Sequence, residues 1–217
     1  MTLSLLPRQR IEDEPHFAYD PNLVLYLPLY KLDGASFMSK DAYGHQATVT
    51  SALWTPQGRS FDGIDNTITI PAHASLAPTA LTVICWIKTS TKTMSFWSGY
   101  SAGGANGLGI SIDGNGFVEV SIPFVALIVQ GAVDVTTGVW VHCAVTKDAS
   151  GNYALYIDGV ADGTGSQVTA PLWADWVLGK AELPYFNGTM GESLGWNRAL
   201  SLAEILHNYQ ATKWRFR

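Results

Sequence analysis

Cleaving a glycosidic bond takes two carboxylates flanking it, and Glu119 stands alone on its stretch of alternating residues. Nucleophilic acyl chemistry would need a Gly-x-Ser-x-Gly turn; the sequence has none, and it has no phosphate-binding glycine loop. The histidines His16, His45, His73, His142 and His207 are scattered, with no i, i+4 pair of the kind that binds zinc on a helix. His142 lies within an apolar alternation and reads as a packed strand residue, not a base. The chain is therefore expected to be non-enzymatic, with no catalytic residue. What remains is recognition. Trp97, Tyr100 and Asn106 frame the glycine-rich run 99–109, where rings stack on sugar faces and an amide bonds hydroxyls. Against that, the eight tryptophans suit a core as well as a platform. The ends carry a second possibility. Arg8 and Arg10 lie in the first segment, and Lys213-Trp214-Arg215-Phe216-Arg217 alternates basic and aromatic groups at the other end. That tail reads either as a last edge strand or as a strip that docks on an acidic partner.

These residues must be held by strands. Glycine is abundant (21) and charged residues are 14% of the chain, which suits many short strands joined by tight turns. At 217 residues, one sandwich with a single core is the natural count. In 139–146, Val139, Val141, Cys143 and Val145 alternate with Trp140, His142, Ala144 and Thr146, a spacing that places the two sets on opposite faces. Both sets include apolar groups, so a strand covered on both sides is expected. Lys147-Asp148-Ala149-Ser150-Gly151-Asn152 turns the chain, and 153–157 returns to a second turn at Asp158-Gly159.

Further strands are expected at 23–30, 47–50, 59–61, 67–70, 81–89, 93–100, 108–112 and 117–122, and then at 176–179 and 188–196. In the first of these Leu23, Leu25, Leu27 and Leu29 share a face, and Pro28 marks an edge or a strand end. Residues 74–76 read as a short helical turn. The apolar segment 123–135 either adds a strand or faces a partner. Ser201-Leu202-Ala203-Glu204 is a capping box, and Leu202, Ile205, Leu206 and Tyr209 follow at helical spacing, so a short helix packs on the sandwich. Residues 1–22 form an arm, which packs on a neighbouring subunit or on its own sandwich; 23–209 form the domain and 210–217 the basic-aromatic tail.

The formal charge of −5 argues against a nucleic-acid partner. No apolar run reaches the length of a membrane span. The opening MTLSLLPRQRIEDEPHF has too short an apolar run for a signal peptide and no basic region before it, so synthesis in a cytoplasm is expected.

Three ordered blocks carry a family resemblance. The hairpin W-x-H-x-A-V-T-x-D-x-S-G…L-Y-x-D-G-V is the first. Phe61-Asp62-Gly63-Ile64-Asp65, followed by Ile68, Ile70, Pro71 and then Trp86 and Lys88, is the second. Phe186-Asn187-Gly188, with Glu192 and Trp196-Asn197-Arg198-Ala199-Leu200-Ser201, is the third. Together they resemble laminin-G-like and pentraxin-like domains, which are concanavalin A-like jelly rolls. The resemblance implies an all-β, two-sheet antiparallel sandwich with one short C-terminal helix. It also implies that Cys85 and Cys143 lie opposite each other on adjacent strands, either as a disulfide or as two buried thiols. Calcium is the cofactor the resemblance suggests. The pentraxin-like double-calcium run is replaced here by Lys180-Ala181-Glu182-Leu183, so at most one structural ion is expected, on Asp41 and Glu192; the alternative is that Glu192 bonds backbone N–H groups. The scaffold hosts lectins, enzymes, adhesins and particle components. The leading expectation is a non-enzymatic component of a larger assembly, such as a phage virion decoration or tail-associated protein, with itself or other proteins as partners. The alternative is a carbohydrate-binding or adhesion module.

Overall fold

The computed structural model describes residues 20–99, 107–123, 125–181 and 184–217, and everything below concerns these. Six strands open the chain: β1 (Leu23–Leu27), β2 (Ser36–Met38), β3 (Gln46–Thr50), β4 (Leu53–Thr55), β5 (Gly58–Asp62) and β6 (Thr67–Ile70). After a 3-10 turn at Ala74–Leu76 come β7 (Leu81–Lys88), β8 (Met94–Ser98), β9 (Gly109–Ile112), β10 (Val118–Ile122) and β11 (Ala126–Gln130). The last group is β12 (Trp140–Lys147), β13 (Asn152–Ile157), β14 (Val160–Ser166), β15 (Trp176–Leu178) and β16 (Asn187–Trp196), ending in helix α1 (Leu202–Thr212) and a 3-10 turn at Lys213–Arg215.

The strands make two eight-stranded antiparallel sheets, as expected. One has the order β14-β13-β12-β7-β16-β5-β4, with β1 also on β16; the other runs β11-β10-β9-β8-β15-β6-β3-β2. Their facing sides hold the main core, which includes Leu25, Leu27, Val83, Cys85, Ile87, Ile110, Val120, Cys143, Val145, Trp97 and Trp176. The first sheet also has a covered outer face. Tyr26, Ile84, Ala144, Leu194 and Trp196 form a second cluster with Leu200 and Ile205 of the C-terminal segment. Strand β12 is thus buried on both sides, as its double apolar alternation predicts.

The opening leucines do not all share a face. A bulge between Leu23 and Leu25 turns Leu23 into the outer cluster, while Leu25, Leu27 and Leu29 stay in the main core. The helix also differs from its expected face: it buries Ile205, Asn208 and Thr212, and Leu202 is exposed. Its capping box is present as expected. The segment expected as either a strand or a partner surface is strand β11, paired to β10.

At that edge the sheets approach closely enough that two glycines of β14 are required. A Cβ on Gly165 would overlap the carbonyl oxygen of Ile128 in β11, and one on Gly163 would meet the carbonyl of Gln130. Neither obstacle is a flexible side-chain end. Gly165→Ala is expected to cost about 2–3 kcal/mol, read as a fall in Tm of roughly 5–10 °C. Gly138→Ala, where a Cβ meets nothing and only the positive φ of 77° is strained, is expected to cost about 1 kcal/mol. Equal melting curves for the two variants would show that the sheets are not held together at this edge.

Candidate functional site

The candidate site is a cleft at one end of the sandwich, where the tip of the β12–β13 hairpin meets the loops before β7 and before β15. Its volume is about 300 Å³, and Ala77, Pro78, Lys147, Ser150, Gln167 and Trp173 are among the residues that line it. The half-buried Trp173 is held rigidly, because its indole N–H donates to the Pro78 carbonyl at 3.0 Å. Its ring lies against Gly99, where a Cβ would come within 2.8 Å of it, and Ala174 N–H donates to the Gly99 carbonyl. Lys147 does not present a free cation here. Its ammonium donates to the carbonyls of Thr79 (2.6 Å) and Asp148 (3.2 Å), and the side chain is buried. Gln167, also in the lining, accepts from Thr169 N–H through Oε1. A fixed indole beside uncharged hydrogen-bonding groups is chemistry for a neutral polyhydroxylated ligand. A larger depression of about 510 Å³ lies along Thr146, Asn152, Ala154, Thr164 and Ser166, but its one lining aromatic, Tyr153, is buried.

The sequence-expected ligand residues are divided by this geometry. Trp97 is 0% exposed and packs edge-on to Trp176 at 5.1 Å, so it is a core residue and cannot be a platform. Tyr100 and Asn106 lie outside the described residues, as do Arg8 and Arg10. Gly99 N–H donates to the Leu108 carbonyl, and Gly99 lies against the Trp173 ring. The indole that lines the cleft is that of Trp173.

Asp41 and Glu192 do not fit a calcium ion. Asp41 spends its carboxylate on the backbone N–H groups of Tyr26 (3.0 Å), Tyr43 (2.8 Å) and Gly44 (3.2 Å). Glu192 is 0% exposed, and its nearest charge is the Arg215 guanidinium at 3.6 Å. That is an ion pair without a hydrogen bond, and neither oxygen of Glu192 has a hydrogen-bond partner among the described residues. The expected backbone bonds to Glu192 are thus also absent there. Among the described residues, no group of three or more His, Cys, Asp or Glu is placed to hold a metal.

Arg215 belongs to the tail, and the tail is neither an edge strand nor a free docking strip. Phe216 is 6% exposed; its ring stacks on Trp86 at 4.6 Å and lies 4.9 Å from Trp140. A Cβ on Gly191 would overlap it. Arg215 sits over Tyr30 (5.2 Å) and Trp214 (4.9 Å). Lys213 lies over Tyr209 at 5.2 Å. Trp214 is 62% exposed. Cys85 and Cys143 are opposite in register across β7–β12 and both are free thiols. Burial pushes the Cys85 thiol up to about 12 and Cys143 upward as well, so both stay protonated and unreactive.

Two buried titratable groups lie under the C-terminal segment. Burial raises Glu192 from its ordinary 4.5 to about 7, with Arg215 opposing. Burial lowers His142 from 6.5 to about 3; it packs against Trp86 and Tyr209, and neither ring nitrogen has a hydrogen-bond partner among the described residues. Folding therefore tightens the proton on Glu192, whose contribution is complete below pH 4.5 and is lost as pH rises through 7. Folding loosens the proton on His142, whose contribution is complete above pH 6.5 and is lost as pH falls towards 3. Between 4.5 and 6.5 the two slopes oppose one another. Glu192→Gln removes one of them. Urea denaturation from pH 4.5 to 6.5 is expected to show the variant gaining stability relative to the parent, by up to about 1.4 kcal/mol per pH unit. Parallel pH profiles would place Glu192 in contact with water.

The comparisons with known proteins agree with this architecture. The family model described as concanavalin A-like lectin/glucanases superfamily matches residues 62–206. None of the curated proteins matches the chain. Among solved structures, the sialidase of Trypanosoma rangeli bound to 2,3-difluorosialic acid is similar at a TM-score of 0.72 and 17% identity, over 89% of this chain and 34% of that one. The chain thus spans about a third of the sialidase. Domain 4 of a GH43 extracellular arabinanase from Geobacillus stearothermophilus, bound to arabinotriose, is similar at 0.64 and 21%, over 85% of this chain and 97% of that domain. The binding domain of Paraclostridial Mosquitocidal Protein 1 is similar at 0.64 and 13%, over 87% of this chain and 52% of that one. At these identities the solved structures speak for the fold, and the family match over most of the chain places this protein in the concanavalin A-like lectin/glucanase superfamily.

Proposed function

We propose that the chain is a non-catalytic carbohydrate-binding module whose ligand is a neutral glycan held at the Trp173 cleft. The observation that carries this reading is the fixed indole of Trp173 beside hydrogen-bonding groups that bear no free charge. A sugar ring would lie on the exposed part of the indole, and its hydroxyls would meet Gln167, Ser150 and the backbone of the hairpin tip. The arabinotriose carried by the similar arabinanase domain supports a neutral oligosaccharide as the ligand class. The carboxylate near Glu119 is Asp113, bridged to it by the Gln130 amide, which donates to both. Asp113 also accepts from Asn115 N–H and Phe117 N–H in the β9–β10 turn, which favours a structural role for the pair over a hydrolytic one.

A second reading is attachment to a larger assembly, such as the surface of a phage virion. The described C-terminal tail no longer supports it, because that tail grips its own sandwich. What favours it is the edge strand β4, where Leu53 and Trp54 stay exposed beside unpaired backbone groups. A native mass several times that of the single chain, reduced by Leu53→Lys, would support this second reading. A monomer would remove it.

The glycan reading is tested on an array of neutral oligosaccharides followed by affinity measurement on the best ligand. Trp173→Ala is expected to weaken binding at least tenfold, and Trp214→Ala, an exposed indole on the tail, to leave it unchanged. Binding indifferent to Trp173→Ala in a variant that melts normally would move the site elsewhere. Polysaccharide turnover by the parent protein would overturn the non-catalytic part.

A further inference from the structure

We propose that His45 and His73 form a two-imidazole site for a borderline divalent cation of the zinc, nickel or copper kind. The two residues are far apart in the chain. His45 lies just before β3 and His73 just before the 3-10 turn that follows β6, and the pairing of β3 with β6 brings these ends together.

The geometry is convergent. His45 Nε2 lies 3.0 Å from Ser75 Oγ, and His73 Nδ1 lies 2.9 Å from the same atom. Two ring nitrogens on different segments therefore aim at one point, which the hydroxyl now occupies. The ring centres are 5.0 Å apart with the planes at 61°. Two imidazoles that share a tetrahedral ion, each with a nitrogen about 2.0–2.1 Å from the metal, have ring centres roughly 5 Å apart. The rings thus already stand at the required separation. What must change is local: the Ser75 hydroxyl rotates off the shared point, and the Ser75 N–H gives up its 3.2 Å bond to His73 Nδ1.

The surroundings favour this chemistry over an oxygen-ligand ion. Tyr43 stacks on His45 at 5.6 Å and 5°, which limits rotation of that ring. His45 is half-buried, and its Nε2 has the Ser75 hydroxyl as its partner at 3.0 Å. Asp41 is near, but both of its oxygens are taken by backbone N–H groups. The protein therefore supplies two nitrogen ligands, and solvent completes the sphere. Imidazole selects zinc, nickel or copper over calcium or magnesium. A bound ion would tie the β2–β3 loop to the segment after β6. The site is separate from the Trp173 cleft and does not depend on the glycan reading.

The test is calorimetric titration of the tag-free chain with Zn²⁺ at pH 7.5. One Zn²⁺ per chain is expected, with at least a tenfold loss of affinity in His73→Ala and in His45→Ala. Ser75→Ala is expected to keep or strengthen binding, because it clears the shared point. His73 is exposed, so its variant keeps the fold and serves as the main arm. No Zn²⁺ uptake by the parent protein would overturn the proposal. So would unchanged affinity in His73→Ala, loss of binding in Ser75→Ala, or competition by an equal concentration of Ca²⁺.

Discussion

The structure depends on covering Trp86. Strands β7, β12 and β16 lie side by side in the middle of one sheet and carry large groups on both faces, so a two-layer sandwich alone would leave half of them in water. The C-terminal segment supplies the missing layer. Trp86 stacks with Tyr209 of the helix and with Phe216 of the tail, and its indole N–H donates to Thr212 Oγ1 at 2.9 Å. Its polar edge and two stacking contacts are therefore supplied by the last turns of the chain. Burying a Trp this way contributes a few kcal/mol, enough to hold the neighbouring Glu192 and His142 away from water despite their cost in the ionised state.

The same constraint explains why the motifs identified a fold and not a chemistry. Asp148 accepts N–H bonds from Ser150 and Asn152 to close the hairpin turn, and Asp158 accepts from His142 N–H across its base. Arg198 joins Asp20 at 2.7 Å to Glu204 at 2.8 Å, and this guanidinium holds the Glu204 carboxyl down at about 2. Thr82 donates to the Arg198 carbonyl and accepts from Leu200 N–H. These residues satisfy turns, caps and the strand-to-helix junction. The hairpin turn at Asp148 and the capping box of Ser201 with Glu204 could be read from the sequence because each acts over a short span. The contacts of Arg198 with Asp20 and of Thr82 with 198–200 join segments more than a hundred residues apart and follow from the fold.

The misreadings cluster at bulges. Period-two alternation holds only while the ladder is regular, and one inserted residue flips every side chain beyond it. Ser95 opposes Ser111 on the outer side, but a bulge brings Trp97 opposite Ile110 on the inner side. The expected platform became core. Met190 opposes Ile87 in the core, and the bulge at Gly191 places Glu192 opposite Trp86 on the outer face. The expected calcium ligand came under the tail. Strands β2, β4 and β14 were not foreseen either, since two have only three residues and the third is held by glycines and not by an apolar stripe. The approach of His45 to His73 was illegible for another reason: it arises from strand pairing, and no local pattern encodes which strands pair.

These placements leave recognition to the ends of the sandwich. The centre of one outer face is covered by the helix and tail. The other has a cross-strand row of short side chains, Ser36, Thr48, Thr69, Val177, Ser98 and Ser121, and the chain near Lys180 and Pro184 crosses it, with Ser98 Oγ donating to the Lys180 carbonyl. Short side chains give a ligand little to stack on. The hairpin tip and the loop bases around Trp173 are different, because the backbone there is tied by turn bonds and the ring by its bond to Pro78. A ligand that binds a preformed site loses less entropy in ordering it. Rigid loop ends on a stiff frame are therefore where this sandwich can gain affinity without disturbing the layer that covers Trp86.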